Sequence, residues 1–377
     1  MMMRYLLALV CMSMLMVACG VSHDGELLWN FEIKKIHKQW AALDEQRFYL
    51  CADDVYCLEI DTGHLLWEFE TFGGHSSAPV VSGERLFFQC GGLYALDAET
   101  GDVLWEFWTK SWATISPAVD AGRVYAPISD RLYCLDAVSG KRLWSVTTGP
   151  LEKTPVLVGN KLFFNRGQKI FCLDATSGKM QWQFKVGSDS FYREKSFSFD
   201  KSTGEVQVLF KVFSLDISNG KVHLQFKAGS DRVQLASAGD YLLSAGSAGI
   251  VRVHRIETGK VQWQLNTNMP FVTFCVVPAG QVIIGADGLY CYDLESGVPL
   301  WTFKQDKVLV LDAQGLGDYV FARGSKLGLF SVSMHDGNLI HQLKLPDDGR
   351  LLIDKKDAIF FQGGQSREVN SFSVPLL

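Results

Sequence analysis

The phrase LYCLDAVSGKRLW, residues 132–144, returns in altered form along the chain, and this periodicity limits the fold more than any other feature. Anchored on its glycine, the copies fall at Gly25, Gly63, Gly101, Gly140, Gly178, Gly220, Gly259, Gly297 and Gly337, at intervals of 38 to 42 residues. A fixed period of this length predicts a repeat architecture. Four places after the glycine stand Trp29, Trp67, Trp105, Trp144, Trp182, Trp263 and Trp301, with Leu224 and His341 in the other two copies.

Within a period the alternation is two. Leu65, Trp67 and Phe69 interleave with Leu66 and Glu68, and Val103, Trp105 and Phe107 repeat the arrangement, which is strand spacing. A second apolar run such as LYALD (93–97) precedes, joined to the first by AETG. Asp97, Asp136, Asp174, Asp216 and Asp293 share one place before that turn. A carboxylate there caps the turn's own amides, and the glycine supplies the positive φ that closes it. Two more runs fill each period, for example SAPVVSG (77–83) and RLFFQCG (85–91). One unit is therefore a four-stranded antiparallel meander, and its repetition without helical patterning predicts an all-β propeller of eight or nine blades. Small residues crowd the first strand, as in TISPAVD (114–120), where blades converge on the axis.

The ends predict how the ring closes. GELLWNF (25–31) reads as an outer strand lacking its three partners, whereas LLID (351–354), AIFFQ (358–362) and EVNSFSV (368–374) read as a unit lacking its outer strand. Pairing the N-terminal strand with the C-terminal blade completes both and removes exposed edges between them.

Composition excludes disorder: 47 % of residues are apolar and 20 % charged. The first 18 residues, with Arg4 ahead of an uncharged apolar run, have the layout of an export signal. Met16-Val17-Ala18-Cys19 is similar to a bacterial lipobox, in which Cys19 is acylated; a cleaved soluble signal or an uncleaved anchor are the alternatives. The expected organisation is a signal over 1–18, a lipidated tether over 19–24 and one propeller domain over 25–377. Loss of Arg4 takes the formal charge from −5 to −6, which argues against a nucleic-acid partner. Cys57, Cys134, Cys172 and Cys291 share one place in the phrase, where Ala95 and Ser214 also occur, so that place calls for a small side chain. Buried free thiols are the reading, since no CxxC pair exists.

The phrases LYALDAETGDVLW (93–105), VYCLEIDTGHLLW (55–67) and LYCYDLESGVPLW (289–301) resemble the repeat of the pyrroloquinoline-quinone (PQQ) family of propellers. The resemblance implies that the seven tryptophans pack between neighbouring blades. It also implies, for a lipidated single-domain member, a role as lipoprotein scaffold in the outer-membrane β-barrel assembly machinery. The expected state is a monomeric ring within a hetero-complex, held at the periplasmic face of the outer membrane and partnered by the barrel-inserting protein. The family's quinoprotein dehydrogenases hold their cofactor with calcium, a catalytic Asp and often a disulfide between adjacent cysteines. Here no two cysteines are adjacent, and no calcium-ligand cluster or catalytic Asp can be matched. No catalytic residue, cofactor or metal is therefore assigned.

Other chemistry is thin. The eight histidines are scattered without metal spacing and read as solvated loop or strand residues. GxSxG and GxxxxGK[ST] are absent, and GLGDY (315–319) reads as a turn. With GVSHD as the whole tether, the ring would hang within roughly 20 Å of lipid. Gly20 after Cys19 permits outer-membrane transfer, by analogy with enteric lipoproteins. For docking, GSDSFYREK (187–195) sets Phe191, Tyr192 and Arg193 side by side, residue types enriched at hot spots. Trp108 and Trp112 lie outside the repeat position and read as inter-blade packing, and KKIHK (34–38) as a solvated connection that could face anionic head groups. Three functions stay open: an assembly scaffold, an envelope lipoprotein binding another protein or small ligand, and a quinoprotein.

Overall fold

Period-two patterning becomes strand throughout: the described residues form 36 strands and no helix. The computed structural model describes residues 26–33, 40–52, 54–71, 77–109, 115–120, 122–167, 169–185, 197–200, 205–208, 211–216, 218–227, 233–246, 249–269, 273–277, 280–305, 309–325, 328–343, 349–353, 358–363 and 368–373. The strands fall into nine consecutive units of four, here blades 1 to 9. Blades 1 to 4 span 40–69, 80–107, 118–147 and 156–185, and blades 6 to 8 span 233–266, 273–303 and 310–343. Blade 5, 197–227, consists of two ribbons, Phe197–Asp200 with Glu205–Val208 and Lys211–Leu215 with Val222–Lys227. Of the eight or nine units allowed by the sequence, nine are present among the described residues.

Blade 9 joins the two ends of the chain. Its strands Gly349–Ile353, Ala358–Gly363 and Glu368–Ser373 are completed by Glu26–Glu32, which pairs antiparallel with the last of them, Asn30 opposite Asn370. Trp29 then donates from Nε1 to the Ile60 carbonyl of blade 1 at 2.8 Å. The sheet that holds the end of the chain thus packs on the first sheet after its beginning, as closure of a ring requires.

Each blade is an ordered meander. In blade 2, Val80–Ser82 pairs with Arg85–Cys90, then Gly92–Asp97, then Val103–Phe107. The first strand is short, three residues here and two in blade 3 (Ala118–Val119). Because a strand sends alternate side chains to opposite faces, the second strand faces both neighbours. Leu86, Phe88 and Cys90 pack with Tyr49, Cys57 and Trp67 of blade 1, while Phe87 packs with Val124, Ala126 and Leu135 of blade 3. This is why RLFFQC reads as an unbroken apolar run: both faces are interior. Burying one such Phe contributes about 1.5–3 kcal/mol.

Two further points follow from the packing. GLGDY does turn, between Val310–Leu316 and Tyr319–Gly324, with Gly317 at φ +55°. His254 and His341 are buried in their sheets, correcting the solvated reading. His254 sits beside Ser244 Oγ at 3.3 Å, and burial lowers its basicity.

Candidate functional site

The repeated turn is built the same way in blade after blade. Asp97 Oδ1 accepts from the amides of Glu99 and Thr100, each at 2.9 Å, while the amide of Gly101 donates to the Asp97 carbonyl at 2.9 Å. Asp136, Asp174, Asp216 and Asp293 accept from the amides of Ser139, Ser177, Ser218 and Ser296 at 2.7 to 2.8 Å. The hydroxyls of Ser139, Ser177 and Ser296 donate to the same oxygens, and hydrogen bonds hold four of these carboxyls below the usual range, led by the Thr100 amide for Asp97 and by those hydroxyls for Asp136, Asp174 and Asp293. With their amides pointed inward at the turn, these carboxylates do structural work.

The tryptophan after the turn reaches the next blade. Trp67, Trp105, Trp144, Trp263 and Trp301 donate from Nε1 to the carbonyls of Ala98, Ala137, Ala175, Leu294 and Met334, at 2.7 to 3.2 Å. Trp182 of blade 4 covers Gly220 of blade 5. Across its own sheet five of these tryptophans face a small residue, Cys57 opposite Trp67, Ala95 opposite Trp105, Cys134 opposite Trp144, Cys172 opposite Trp182 and Cys291 opposite Trp301, whereas Trp263 faces Val253. A bulge follows at once in every case, turning the indole out of the sheet toward the neighbour. The four thiols are fully buried, which pushes each of them up to about 12.

A second acidic turn escaped the sequence reading. Asp44 Oδ1 accepts from the amides of Gln46 and Arg47 at 2.8 Å, and its Oδ2 accepts from the Tyr49 hydroxyl at 2.7 Å. Asp120 repeats this with Gly122, Arg123 and Tyr125. The shared spacing D-x-x-R-x-Y (44–49 and 120–125) was the available signal.

Among the candidate docking residues, Cys19, the 34–38 run, Trp112 and the Phe191-Tyr192-Arg193 loop lie outside the described residues. Among the described residues Trp108 makes no ring contact across blades: half exposed, it meets Tyr94 of its own sheet edge-on and lies over Gly92. The chain ran one residue past the last sheet position, Phe107, so its side chain turns back over the same blade. Among the described residues no group of three or more His, Cys, Asp or Glu side chains is placed to hold a metal.

The repeat positions are thus occupied by packing and turn closure. A family model described as "Outer membrane protein assembly factor BamB" matches residues 17–108, 90–238 and 247–366. The chain belongs to the BamB family. Its structure resembles the crystal structure of BamB from Moraxella catarrhalis, with TM-score 0.57 at 14 % identity over 94 % of this chain and 98 % of that one. It also resembles the computationally designed Ika8 protein (TM-score 0.55, 13 %, covering 91 % and 98 %). A third likeness is the quinohemoprotein alcohol dehydrogenase ADHIIG from Pseudomonas putida (TM-score 0.55, 13 %, covering 93 % and 76 %). Structural likeness at such identity shows a shared fold. No curated protein matches the sequence significantly. BamB-family membership and the PQQ-like blade therefore stand together.

Proposed function

We propose that this chain is a non-catalytic, lipid-anchored scaffold at the periplasmic face of the outer membrane, acting in the assembly of β-barrel proteins there. The observation that carries the reading is the family match, which runs nearly end to end on a protein family described as an assembly factor. The geometry agrees with it: the Asp and Trp residues of the repeat are committed to turns and inter-blade bonds. A stiff scaffold presenting variable loops suits partner binding. Lipid on Cys19 would keep its reach to the membrane surface.

The test is mild crosslinking in the native host, gentle detergent extraction and mass spectrometry of what a tagged copy recovers. Recovery of the barrel-inserting outer-membrane protein, lost in Cys19→Ala, supports scaffold and tether together. Recovery of other envelope proteins instead moves the function to a different envelope partner. The likeness to a quinohemoprotein dehydrogenase gives a second reading its own assay: pure protein supplied with pyrroloquinoline quinone and calcium should gain neither quinone absorbance nor dye-linked alcohol oxidation.

A further inference from the structure

The outer hairpins of the blades differ sharply in charge. In blade 1, residues 59–70 hold Glu59, Asp61, Glu68 and Glu70 with no Lys or Arg; in blade 2, residues 97–108 hold Asp97, Glu99, Asp102 and Glu106, again with none. The corresponding stretches of blades 3 to 6 (136–147, 174–185, 216–227 and 255–266) each carry two Lys or Arg against one acid. Arg47 of the second strand of blade 1 reaches Glu99 at 4.0 Å, and Arg85 lies opposite Asp97 in the same place in blade 2. Arg123 and Lys161 repeat this placement in blades 3 and 4, so it does not offset the contrast.

The contrast falls on an edge that proteins ordinarily protect. An outermost strand offers unpaired backbone groups to any passing strand, and Lys or Pro on that edge discourages addition. Blades 3 to 6 place Lys141, Lys179, Lys221 and Lys260 directly after the turn glycine, and blade 7 places Pro299 in the edge strand. Blades 1 and 2 place His64 and Asp102 there. Their edge strands, Leu65–Phe69 and Val103–Phe107, pair on the inner side alone among the described residues. They also expose two consecutive apolar residues each, Leu65 with Leu66 and Val103 with Leu104, all 43 to 47 % exposed. Acid on such an edge repels an identical edge and attracts a cationic one.

We propose that the outer edges of blades 1 and 2 form a docking surface for an extended segment of a partner protein in which apolar residues alternate with Lys or Arg. Backbone pairing to the open edge supplies affinity, Leu65, Leu66, Val103 and Leu104 receive the apolar side chains, and the surrounding carboxylates select the basic ones. The inference rests on the scaffold reading above for the existence of a partner.

The test uses the purified full chain and a fluorescent peptide of about twelve residues alternating Lys with Val or Leu, read by anisotropy. The lysine peptide should bind, its glutamate counterpart should not, and methylating alternate backbone nitrogens should abolish binding to the unaltered protein. Leu66→Lys with Leu104→Lys, which sets a lysine in each of these edge strands, should weaken binding roughly tenfold or more, whereas Leu143→Lys at the same place in blade 3 should not. Equal binding of the methylated or glutamate peptide, or an equal loss in Leu143→Lys, overturns the proposal, as does sedimentation showing that a second copy of the chain occupies the edge. A protein that recovers the barrel-inserting partner yet ignores the peptide sinks the docking edge and leaves the scaffold standing. Peptide binding without that partner does the reverse.

Discussion

Gly101 lies directly beneath the indole of Trp67, so close that a Cβ added to it would stand 2.6 Å from Cδ2. The glycine belongs to the outer turn of blade 2 and the tryptophan to the edge strand of blade 1. Their contact, with the Nε1 bond to the Ala98 carbonyl beside it, is the joint between the two sheets. The same joint recurs as Gly140 with Trp105, Gly178 with Trp144, Gly220 with Trp182 and Gly297 with Trp263. One residue therefore meets two demands: a left-handed φ of +78° to close the turn, and no side chain so that the neighbour's ring can lie flat.

Substituting Gly101 separates these demands when Gly83 is the control. Gly83 is also left-handed, at φ +58°, but nothing lies within 4 Å of a Cβ built there. Gly83→Ala should cost only the left-handed penalty, about 1–2 kcal/mol. Gly101→Ala should add about 1–3 kcal/mol for displacing the ring. Urea unfolding followed by tryptophan fluorescence measures both, and equal losses would show that the ring contact contributes nothing.

Cys134, facing Trp144 across its sheet, ties size to chemistry. Cys134→Leu should destabilise by about 1–3 kcal/mol through overpacking, and Cys134→Ser or Cys134→Ala by less. Burial holds the Cys57, Cys134, Cys172 and Cys291 thiols near 12, against 9.0 for an exposed thiol. Because the folded value is raised, the stability linked to these protons is intact below pH 9 and is lost as pH rises from 9 toward 12. Alkylation at pH 8 followed by peptide mapping should label these four cysteines after denaturation and spare them before it.

Much of this was legible because one backbone geometry, imposed again and again, selects the same residues each time. The Gly, Asp and Trp of the phrase recur since each turn needs a left-handed φ, an acceptor and a ring at the same points. The small residue at Cys134 was visible as a preference, but its reason was not, because cross-strand register appears only once strands are paired. Trp108 misled because a tryptophan one residue past the last sheet position looks like another joint. The Asp44 and Asp120 turns occur twice among the described residues, too few to stand out from a period set by the outer hairpin. Charge on blades 1 and 2 was in the sequence throughout, yet became meaningful when those residues were seen to line an open edge.

Acid should loosen the outer turns. Hydrogen bonds to Asp97, Asp136, Asp174 and Asp293 hold their folded values below 3.8, so their contribution is present above that value and is lost as pH falls through the folded ones. The melting temperature should drop between pH 4 and pH 2 by less in a protein with Asn at all four places, since the amide oxygen still accepts but does not titrate. An unchanged acid dependence would place the sensitive groups elsewhere.

The Tyr49 hydroxyl binds Asp44 at 2.7 Å and also lies 3.2 Å from the Ala98 carbonyl that Trp67 engages. A local turn in blade 1 is thereby connected to its joint with blade 2. Burial and then the Asp44 carboxylate hold the Tyr49 phenol well above its ordinary range. Burial opposes ionisation of Asp44, but the Tyr49 hydroxyl, the Gln46 and Arg47 amides and the Arg47 charge outweigh it and keep that carboxyl low. Tyr49→Phe should cost about 1–3 kcal/mol, because it removes a hydrogen bond to a charged acceptor and leaves Asp44 Oδ2 only the Arg47 guanidinium at 3.5 Å. Asp44→Ala should cost more, since the amides of Gln46 and Arg47 lose their acceptor as well. A double-mutant cycle should return a coupling of about 1 kcal/mol or more, because each single change already removes the shared bond. Strict additivity would mean that turn and joint are energetically separate, and that Tyr49 stabilises the blade through ring packing against Trp67 alone.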